Sequence, residues 1–335
     1  MTQALYRKWR PRTWDEVVGQ EHIVQTLKNA IATNRVGHAY LFSGPRGTGK
    51  TTTARLLAKA VNCLAPEGVE RPCDACDHCQ AVNESSFLDL IEIDAASNTS
   101  VEDVRDLRDK INFSPNSGKY KVYIIDEVHM LSQAAFNALL KTLEEPPAHA
   151  IFILATTEIH KIPATVLSRC QRHEFRRLSV PVISELLQKK AEEEKFDIQP
   201  EVYTLVARQA TGSLRDGISL LDQLASTNQK VTLKLAESVL GTAASQHVIK
   251  LAGCIHEKDL SAGLNEIQQT LDSGTDSHQF ARQMVDYLRN LMLVKVGNSA
   301  LVDTTEETRQ QMSRQVEFFS THELLHAIRQ FSQAA

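Results

Sequence analysis

Residues 38–51 decide the fold of this chain, and they read HAYLFSGPRGTGKT. An apolar run at 38–42 leads directly into the pattern G-x-x-x-x-G-K-[ST], and the run TTARLLAKA at 52–60 has the composition of a helix. Glycines allow consecutive backbone N–H groups to point at phosphate oxygens, and the start of a helix adds positive potential. The order strand, loop and helix therefore predicts a phosphate-binding loop, with a plain glycine-rich turn as the alternative.

This loop and an acidic pair together predict a site for ATP and Mg²⁺. Lys50 would reach the β- and γ-phosphates, and the Thr51 hydroxyl would bind Mg²⁺. Asp126 and Glu127 follow an apolar run, so Asp126 would hold Mg²⁺ through water and Glu127 would polarise the attacking water. A solvated turn is the alternative for two acids after a strand. The residues expected to hold the nucleotide phosphates are Gly44, Pro45, Arg46, Gly47, Thr48, Gly49, Lys50, Thr51 and Thr52.

Other polar positions could complete this site. Thr156 and Thr157 follow an apolar run, where a hydroxyl could sense the γ-phosphate. Arg169 precedes a weak strand pattern, and Arg215 lies at the start of a helix for which Ser213 would be the N-cap. Position alone favours neither arginine as a phosphate ligand, because surface arginines are usually solvated.

Residues 1–178 show the alternation of apolar runs and helical stretches that is typical of an α/β fold. Several runs are apolar almost throughout, as expected of parallel strands covered on both faces. Right-handed crossovers should join them into one parallel sheet. The predicted strands are 38–42, 88–93, 121–125, 150–154 and, more weakly, 172–175.

The strand pattern stops near residue 179, and two helical regions follow. Residues 179–243 predict a small helical domain, and residues 244–335 predict a second one. The last segment predicts a helix with no capping signal before Ala335, so we expect this domain to be incomplete. The second region carries an apolar stripe that we interpret as helical core, formed by Met284, Tyr287, Leu288, Leu291 and Leu293.

Charge and hydropathy narrow the function classes. The net charge is −4, so the chain as a whole is not a basic nucleic-acid clamp, and any DNA contact should use a local patch. No stretch approaches the roughly 20 apolar residues that span a bilayer. The basic N-terminus lacks the apolar region of a secretory signal, which favours a cytoplasmic location.

Four of the six cysteines lie at Cys63, Cys73, Cys76 and Cys79. In a cytosolic chain such clustering favours a metal over disulfides, and four thiolates suit tetrahedral Zn²⁺. An iron–sulfur run would continue with a further cysteine where Asn83 stands, and free or redox-active thiols are the remaining alternative. Four thiolates leave no open position on zinc, so the predicted role is structural.

The segment SNTS at 97–100, with Glu102, has the pattern of a capping box at the start of a helix. Its exposed N–H and hydroxyl groups could bind a DNA phosphate. A helix cap with nothing bound explains the same residues equally well. No base-reading motif is present, which argues against sequence-specific recognition.

Several motifs together carry a family resemblance. They are YRKWRP (6–11), VVGQ (17–20), the loop at 38–51, DEVHML (126–131), ALLKTLEEPP (138–147) and LSRC (167–170). In these motifs the chain resembles the bacterial DNA polymerase III tau/gamma family of AAA+ clamp-loader ATPases. The resemblance is dense over residues 1–243, and the cysteine module narrows it further. It implies an AAA+ domain at 1–178 with a zinc module at 63–79, a lid domain at 179–243 and a collar domain at 244–335.

The resemblance also implies residue roles. Thr157 matches the first sensor of the γ-phosphate and Arg215 the second, on the lid. Arg169 matches the arginine finger, which acts on ATP held by a neighbouring subunit; such a finger is worth about 10³–10⁵ in rate in comparable NTPases. The residues that match the adenine-contacting segment are Arg7, Arg10, Pro11 and Val18.

These inferences combine into one functional expectation. The chain should be an ATPase subunit that uses ATP to open a sliding clamp and load it on primed DNA during replication, together with other clamp-loader subunits. A helicase or branch-migration motor on the same fold is one alternative. A zinc-stabilised scaffold with a vestigial nucleotide site is another. No motif resembles a nucleotidyl-transfer site, so polymerase activity is not expected.

Overall fold

The computed structural model describes residues 4–66, 68–97, 111, 113–226, 230–240, 245–272, 276–299, 302 and 306–335. The chain forms two compact units, residues 1–231 and 232–335. The boundaries expected near residues 178 and 243 stay predictions.

The first unit is built on a five-stranded parallel sheet. Its strands are β1 (Ala39–Ser43), β2 (Leu90–Asp94), β3 (Lys121–Asp126), β4 (Ala150–Thr156) and β5 (Gln171–Glu174). They lie in the order β2-β3-β4-β1-β5, with Leu41 opposite Leu154 and Ile125 also opposite Leu154 from the other side. All five predicted strands are present within two residues of the expected positions. The predicted parallel α/β sheet is confirmed.

Helices cover both faces of the sheet. Every residue of β1 and β4 is buried, because apolar clusters fill both sides of these central strands. The helices in this part of the chain are α1 (Leu5–Lys8), which packs on the helix Leu214–Ala225, and α2 (Glu21–Ala32), α3 (Lys50–Val61), α4 (Asp77–Asn83), α5 (Gln133–Glu144) and α6 (Ala164–Leu167). Because the strands are parallel, their carboxyl ends share one edge of the sheet, and this is the edge at which α/β sheets bind their ligands.

A buried carboxylate fixes the loop that leads into β3. Asp89, which is 1% exposed, accepts backbone N–H groups from Asn116, Ser117 and Gly118 at 2.6, 2.8 and 2.7 Å. Burial alone would raise the pKa of Asp89, but the three N–H donors together outweigh burial and lower it. Asp89 lies directly before β2, so these hydrogen bonds hold the start of β2 beside the loop that leads into β3.

The remainder of the first unit is helical. It contains α7 (Val180–Glu193), α8 (Pro200–Gln209) and α9 (Leu214–Ala225). Gly217 packs closely on Ala210, Ile183 and Leu187, so these three helices form one small core. The side chain of Ser213 accepts the backbone N–H of Asp216, which confirms the predicted N-cap of α9.

The second unit is helical in all of its described elements. They are α10 (Leu233–Val239), α11 (Ser245–Glu257), α12 (Leu260–Asp272), α13 (Ser277–Lys295), α14 (Glu306–Val316) and α15 (Thr321–Ala334). Four residues of the predicted apolar stripe are buried in its core, and Leu293 packs against them. A capping box formed by Ser320 and Glu323 starts α15. None of the helices in the described ranges is long and apolar enough to cross a membrane.

Candidate nucleotide site and cysteine cluster

The glycine-rich loop connects β1 to α3 at the carboxyl edge of the sheet. Gly44, Gly47 and Gly49 have φ angles of +142°, +72° and +102°, which residues with side chains rarely adopt. A methyl group at Gly47 would overlap the Ser213 hydroxyl, and one at Gly44 would overlap the carbonyl oxygen of Phe175. The loop therefore needs glycine at all three positions for its turn, and at Gly44 and Gly47 also because of their close neighbours.

Lys50 is the buried cation of the loop. Its Nζ donates to the carbonyl oxygens of Gly44 and Pro45, each at 2.8 Å, and the residue is 6% exposed. Burial lowers the pKa of Lys50, while the charges of Glu127 and Asp126 act in the opposite direction. A group that carries negative charge into this site would favour the charged lysine.

The acidic pair lies beside the loop. The Thr51 hydroxyl donates to Asp126 Oδ2 at 2.7 Å, and the backbone N–H of Glu127 donates to Asp126 Oδ1 at 2.9 Å. Glu127 has φ 46° and ψ 44°, a left-handed conformation that is uncommon outside glycine and often found at functional sites. A hydroxyl and a carboxylate in contact provide the hard oxygen ligands that Mg²⁺ prefers, so these residues fit the ion.

Thr157 contacts the acidic pair directly. Its backbone N–H and its hydroxyl both donate to Glu127 Oε2, at 3.2 and 3.0 Å. His129 lies on the other side of the same carboxylate, with Nδ1 at 3.4 Å from Glu127 Oε2 and at 3.0 Å from Thr156 Oγ1. The sequence reasoning missed His129, and its only sequence signal is its place three residues after Asp126.

A cavity extends from the loop between the N-terminal segment and α9. Arg215 enters it from α9, with its guanidinium carbon 4.8 Å from the centre of the Tyr6 ring. The backbone N–H of Leu214 donates to the carbonyl oxygen of Gly47 at 3.1 Å, so α9 begins directly on the loop. The predicted residues that line the cavity are Arg10, Pro11, Val18, Arg46, Gly47, Thr48, Gly49, Lys50, Thr51, Thr52, Asp126, Glu127 and Arg215.

Other predicted residues do not line this cavity. Gly44 and Pro45 begin the loop, and their carbonyl oxygens accept hydrogen bonds from Lys50. Thr157 contacts Glu127, which does line the cavity. Tyr6, Trp9 and Ile218 line it as well, and the sequence reasoning did not single them out. The aromatic residues have a weak signal, since both stand in the motif at 6–11.

Arg169 also lies outside the cavity. Its guanidinium makes a 2.6 Å ion pair with Glu144 Oε1 and donates to the carbonyl oxygen of Thr165 at 2.6 Å. The side chain is 32% exposed. Arg169 is therefore held in place on the surface and does not contact the loop of its own chain.

The four cysteines form a compact cluster between α3 and β2. Their sulfur atoms all lie within 4.8 Å of one another, and the sulfurs of Cys73 and Cys79 are 3.9 Å apart. Zn–S bonds of about 2.3 Å in a tetrahedron require S···S distances of about 3.8 Å, so the cluster fits Zn²⁺. Backbone N–H groups, first that of Ala75, lower the pKa of Cys73 to about 6, whereas burial raises the pKa of Cys63 and Cys79.

Comparison with known proteins identifies the chain. Family models match at residues 19–179 (DNA polymerase III, delta subunit), 182–229 (DNA polymerase III clamp loader subunit, ATPase lid domain) and 231–330 (DNA polymerase III subunits gamma and tau domain III). The DNA polymerase III subunit gamma of Buchnera aphidicola is 37% identical over 91% of this chain and 82% of its own length. The chain belongs to the DNA polymerase III tau/gamma family.

Other tau/gamma relatives are longer than this chain. DNA polymerase III subunit tau of Bacillus subtilis is 45% identical over 99% of the chain, and that of Escherichia coli K12 is 44% identical over 89%. The chain spans 60% and 46% of these two relatives. The solved structure of Thermotoga maritima RuvB is 19% identical, with a TM-score of 0.51, and covers 74% of this chain and 79% of RuvB. The predicted AAA+ fold class and the family resemblance are both confirmed.

In this tau/gamma chain a buried lysine joins the cysteine cluster to the N-terminal segment that lines the cavity. Lys59 on α3 is 1% exposed, and its Nζ donates to Arg12 O at 2.9 Å and to Asn83 Oδ1 at 2.8 Å. It also pairs with Asp74, which stands between two of the cysteines. Trp14 Nε1 donates to the Arg71 carbonyl oxygen at 2.8 Å. The segment that lines the cavity is therefore tied to the cysteine module at two points.

Of the expected DNA-contacting residues 97–100, the structure describes Ser97. Ser97 is exposed, and its hydroxyl donates to Asp94 Oδ2 at 2.8 Å. Asn98, Thr99, Ser100 and Glu102 lie outside the described residues. The DNA contact stays a prediction.

Proposed function

We propose that this chain is an ATP-binding and ATP-hydrolysing subunit of the replicative clamp loader, which opens the sliding clamp and loads it on primed DNA. The observation that carries the proposal is one cavity in which Lys50, Thr51, Asp126, Glu127 and Arg215 converge, in a member of the tau/gamma family. The covalent reaction is the attack of water on ATP to give ADP and phosphate.

ATP binding would use both ends of the cavity. The backbone N–H groups of the loop and Lys50 would hold the phosphates, since the loop begins α3. The adenine would lie against the N-terminal segment, where Tyr6, Trp9, Pro11 and Val18 offer apolar surface. Arg10 and Arg215 would supply positive charge from opposite walls.

Hydrolysis would depend on the acidic pair. Thr51 and Asp126 would hold Mg²⁺, which neutralises charge on the phosphate oxygens when it is bound. Glu127 would orient the attacking water and accept its proton. Thr157 would set the position of Glu127 through its two hydrogen bonds to Oε2.

Arg169 would complete the site of a neighbouring subunit. Its ion pair with Glu144 supports this role, because it fixes the guanidinium on the surface and away from the loop of its own chain. A guanidinium supplied across an interface stabilises charge on the transferring phosphoryl group. Hydrolysis would then require assembly with further copies or with other clamp-loader subunits.

The remaining assignments follow from the same role. The cysteine cluster would hold a structural Zn²⁺, and residues 1–178, 179–243 and 244–335 would act as ATPase domain, lid and collar. DNA would be bound without sequence specificity. In a bacterium this work takes place in the cytoplasm, where the chromosome lies.

The test is ATP turnover by the chain assembled with other clamp-loader subunits. We expect turnover to rise sharply when sliding clamp and primed DNA are both added, and Lys50→Ala to abolish the rise. Lys189→Ala, on the exposed surface of α7, is the matched control and should behave as the unaltered chain. Strand separation without a clamp would instead support a branch-migration motor, and full clamp loading by Lys50→Ala would support a scaffold.

A further inference from the structure

A second cavity lies on the other side of the N-terminal segment from the nucleotide cavity. Its volume is about 600 Å³. Its walls come from the N-terminal segment, α3 and the end of α4, and it shares Arg10 and Pro11 with the nucleotide cavity. The lining residues are Arg7, Lys8, Arg10, Pro11, Arg12, Arg55, Leu56, Lys59, Val82, Asn83, Glu84 and Ser85.

Positive charge dominates this cavity. Six of its lining residues are Lys or Arg, and Glu84 is the only acid among them. Three of the cations are neutralised by carboxylates nearby. Lys8 pairs with Glu194 at 2.7 Å, Arg55 donates to Glu92 at 2.7 Å, and Lys59 pairs with Asp74.

The other three cations are Arg7, Arg10 and Arg12, and carboxylates act on two of them only at longer range, Glu92 on Arg10 and Asp74 on Arg12. The Arg7 Nε donates to the Tyr6 hydroxyl, at 3.2 Å. Within the described part of the chain, the guanidinium groups of Arg7, Arg10 and Arg12 make no ion pair. Burial, and then the charge of Arg55, lower the pKa of Arg10. The six cations exceed the nearby acids Glu84, Glu92, Glu194 and Asp74, so this concave surface keeps a net positive charge.

Phosphate groups match this arrangement better than other anions. A guanidinium presents a planar fork of N–H donors that binds two phosphate oxygens at once. The hydroxyl of Ser85, which accepts from Arg55 Nη1 at 3.3 Å, adds a polar group to the lining. An anion with several charges gains more from a field of three cations than a single carboxylate would.

We propose that this cavity is a second anion site that binds a small anion carrying two or more phosphate groups, separate from the phosphate-binding loop. Binding of an anion in this cavity does not depend on clamp loading. Because Arg10 lines both cavities, an anion bound here would attract the guanidinium away from the nucleotide. The site would in this way lower the affinity for ATP.

The experiment is a calorimetric titration of the full chain with inorganic pyrophosphate, after the loop has been saturated with a non-hydrolysable ATP analogue. We expect saturable binding of one pyrophosphate per chain. Arg12→Ser should weaken it about tenfold, because one charge-assisted contact is lost. Arg12→Lys should restore part of the loss. Arg35→Ser, an exposed arginine elsewhere on the same unit, is the control and should bind normally.

Folding is checked by thermal unfolding of each variant, and Arg7→Ser provides a second variant with a different position on the wall. Three results with pyrophosphate, and one with an oligonucleotide, would overturn the proposal. Pyrophosphate would fail to bind when the loop is filled, or would bind Arg12→Ser and Arg35→Ser equally, or would bind only by displacing the ATP analogue. A single-stranded oligonucleotide that binds with the same Arg12 dependence, where pyrophosphate does not, would assign the cavity to nucleic acid and also overturn it.

Discussion

Replacing Lys59 by methionine tests whether the cysteine module supports the nucleotide cavity. Methionine keeps most of the apolar length and removes the ammonium group that joins Arg12, Asp74 and Asn83. The expected result is a less stable protein that also binds ATP more weakly. Both effects come from one side chain that is 1% exposed.

The magnitude can be worked from these contacts. Removing one partner of a buried ion pair costs about 3–5 kcal/mol. The Asp74 side chain is 30% exposed, so water can solvate it in the variant and reduce the loss to about 2–3 kcal/mol. The charge-assisted hydrogen bond to Arg12 is worth about 1.5 kcal/mol at the low end of its range, and its loss frees the segment next to Arg10. We therefore expect the Kd for ATP to rise about tenfold.

Two measurements on the same preparation separate stability from binding. Urea unfolding gives the free energy of unfolding, and a fluorescent ATP analogue gives Kd at a urea concentration of zero. Lys190→Met is the control, because Lys190 and Glu193 form an exposed pair whose contribution is below about 1 kcal/mol. An unchanged Kd for ATP, together with the expected fall in stability, would refute the idea that the module supports the cavity.

Three further predictions concern separate parts of the fold. Asp89→Asn should lower the free energy of unfolding by about 2–4 kcal/mol at pH 7. The folded-state pKa of Asp89 is lowered, so this stabilisation is present above about pH 4 and is lost as the pH falls through the folded pKa. Urea unfolding at pH 3 should therefore show a smaller difference in the free energy of unfolding between the variant and its parent. Gly47→Ala should weaken binding of the ATP analogue more than tenfold, because the methyl group displaces Ser213; Gly297→Ala, with φ +83° but open space around it, should leave that binding unchanged. Elemental analysis should find one zinc per chain, lost in Cys76→Ser and retained in a Cys254→Ser control.

The sheet and the loop could be predicted because their signals are local. Apolar runs of four to six residues mark the buried strands, and the glycine pattern marks a turn that no other residue could make. The acidic pair follows its strand directly, so its place at the carboxyl edge follows from the parallel topology. These features need no knowledge of distant contacts.

The contacts between distant segments could not be predicted in this way. Lys59 stands on α3 with no sign that it is buried, because its partners come from the N-terminal segment and the cysteine module. The hydrogen bonds from Thr157 to Glu127 join the carboxyl ends of β4 and β3, and they depend on side-chain rotamers. The ion pair of Arg169 with Glu144 joins residues 25 positions apart, and no local pattern in the sequence indicates it.

Helix α9 begins at the phosphate-binding loop, so a small tilt at its first turn becomes a larger displacement at its last residue. Leu214 and Arg215 belong to its first turn, where Leu214 is hydrogen-bonded to the loop and Arg215 lines the cavity. The helix runs from Leu214 to Ala225, a length of about 18 Å for 12 residues. A tilt of about 10° at Leu214 would therefore move Ala225 by about 3 Å. A rotation of the first turn of α9 would therefore be expressed most strongly as a displacement at the far end of this helix.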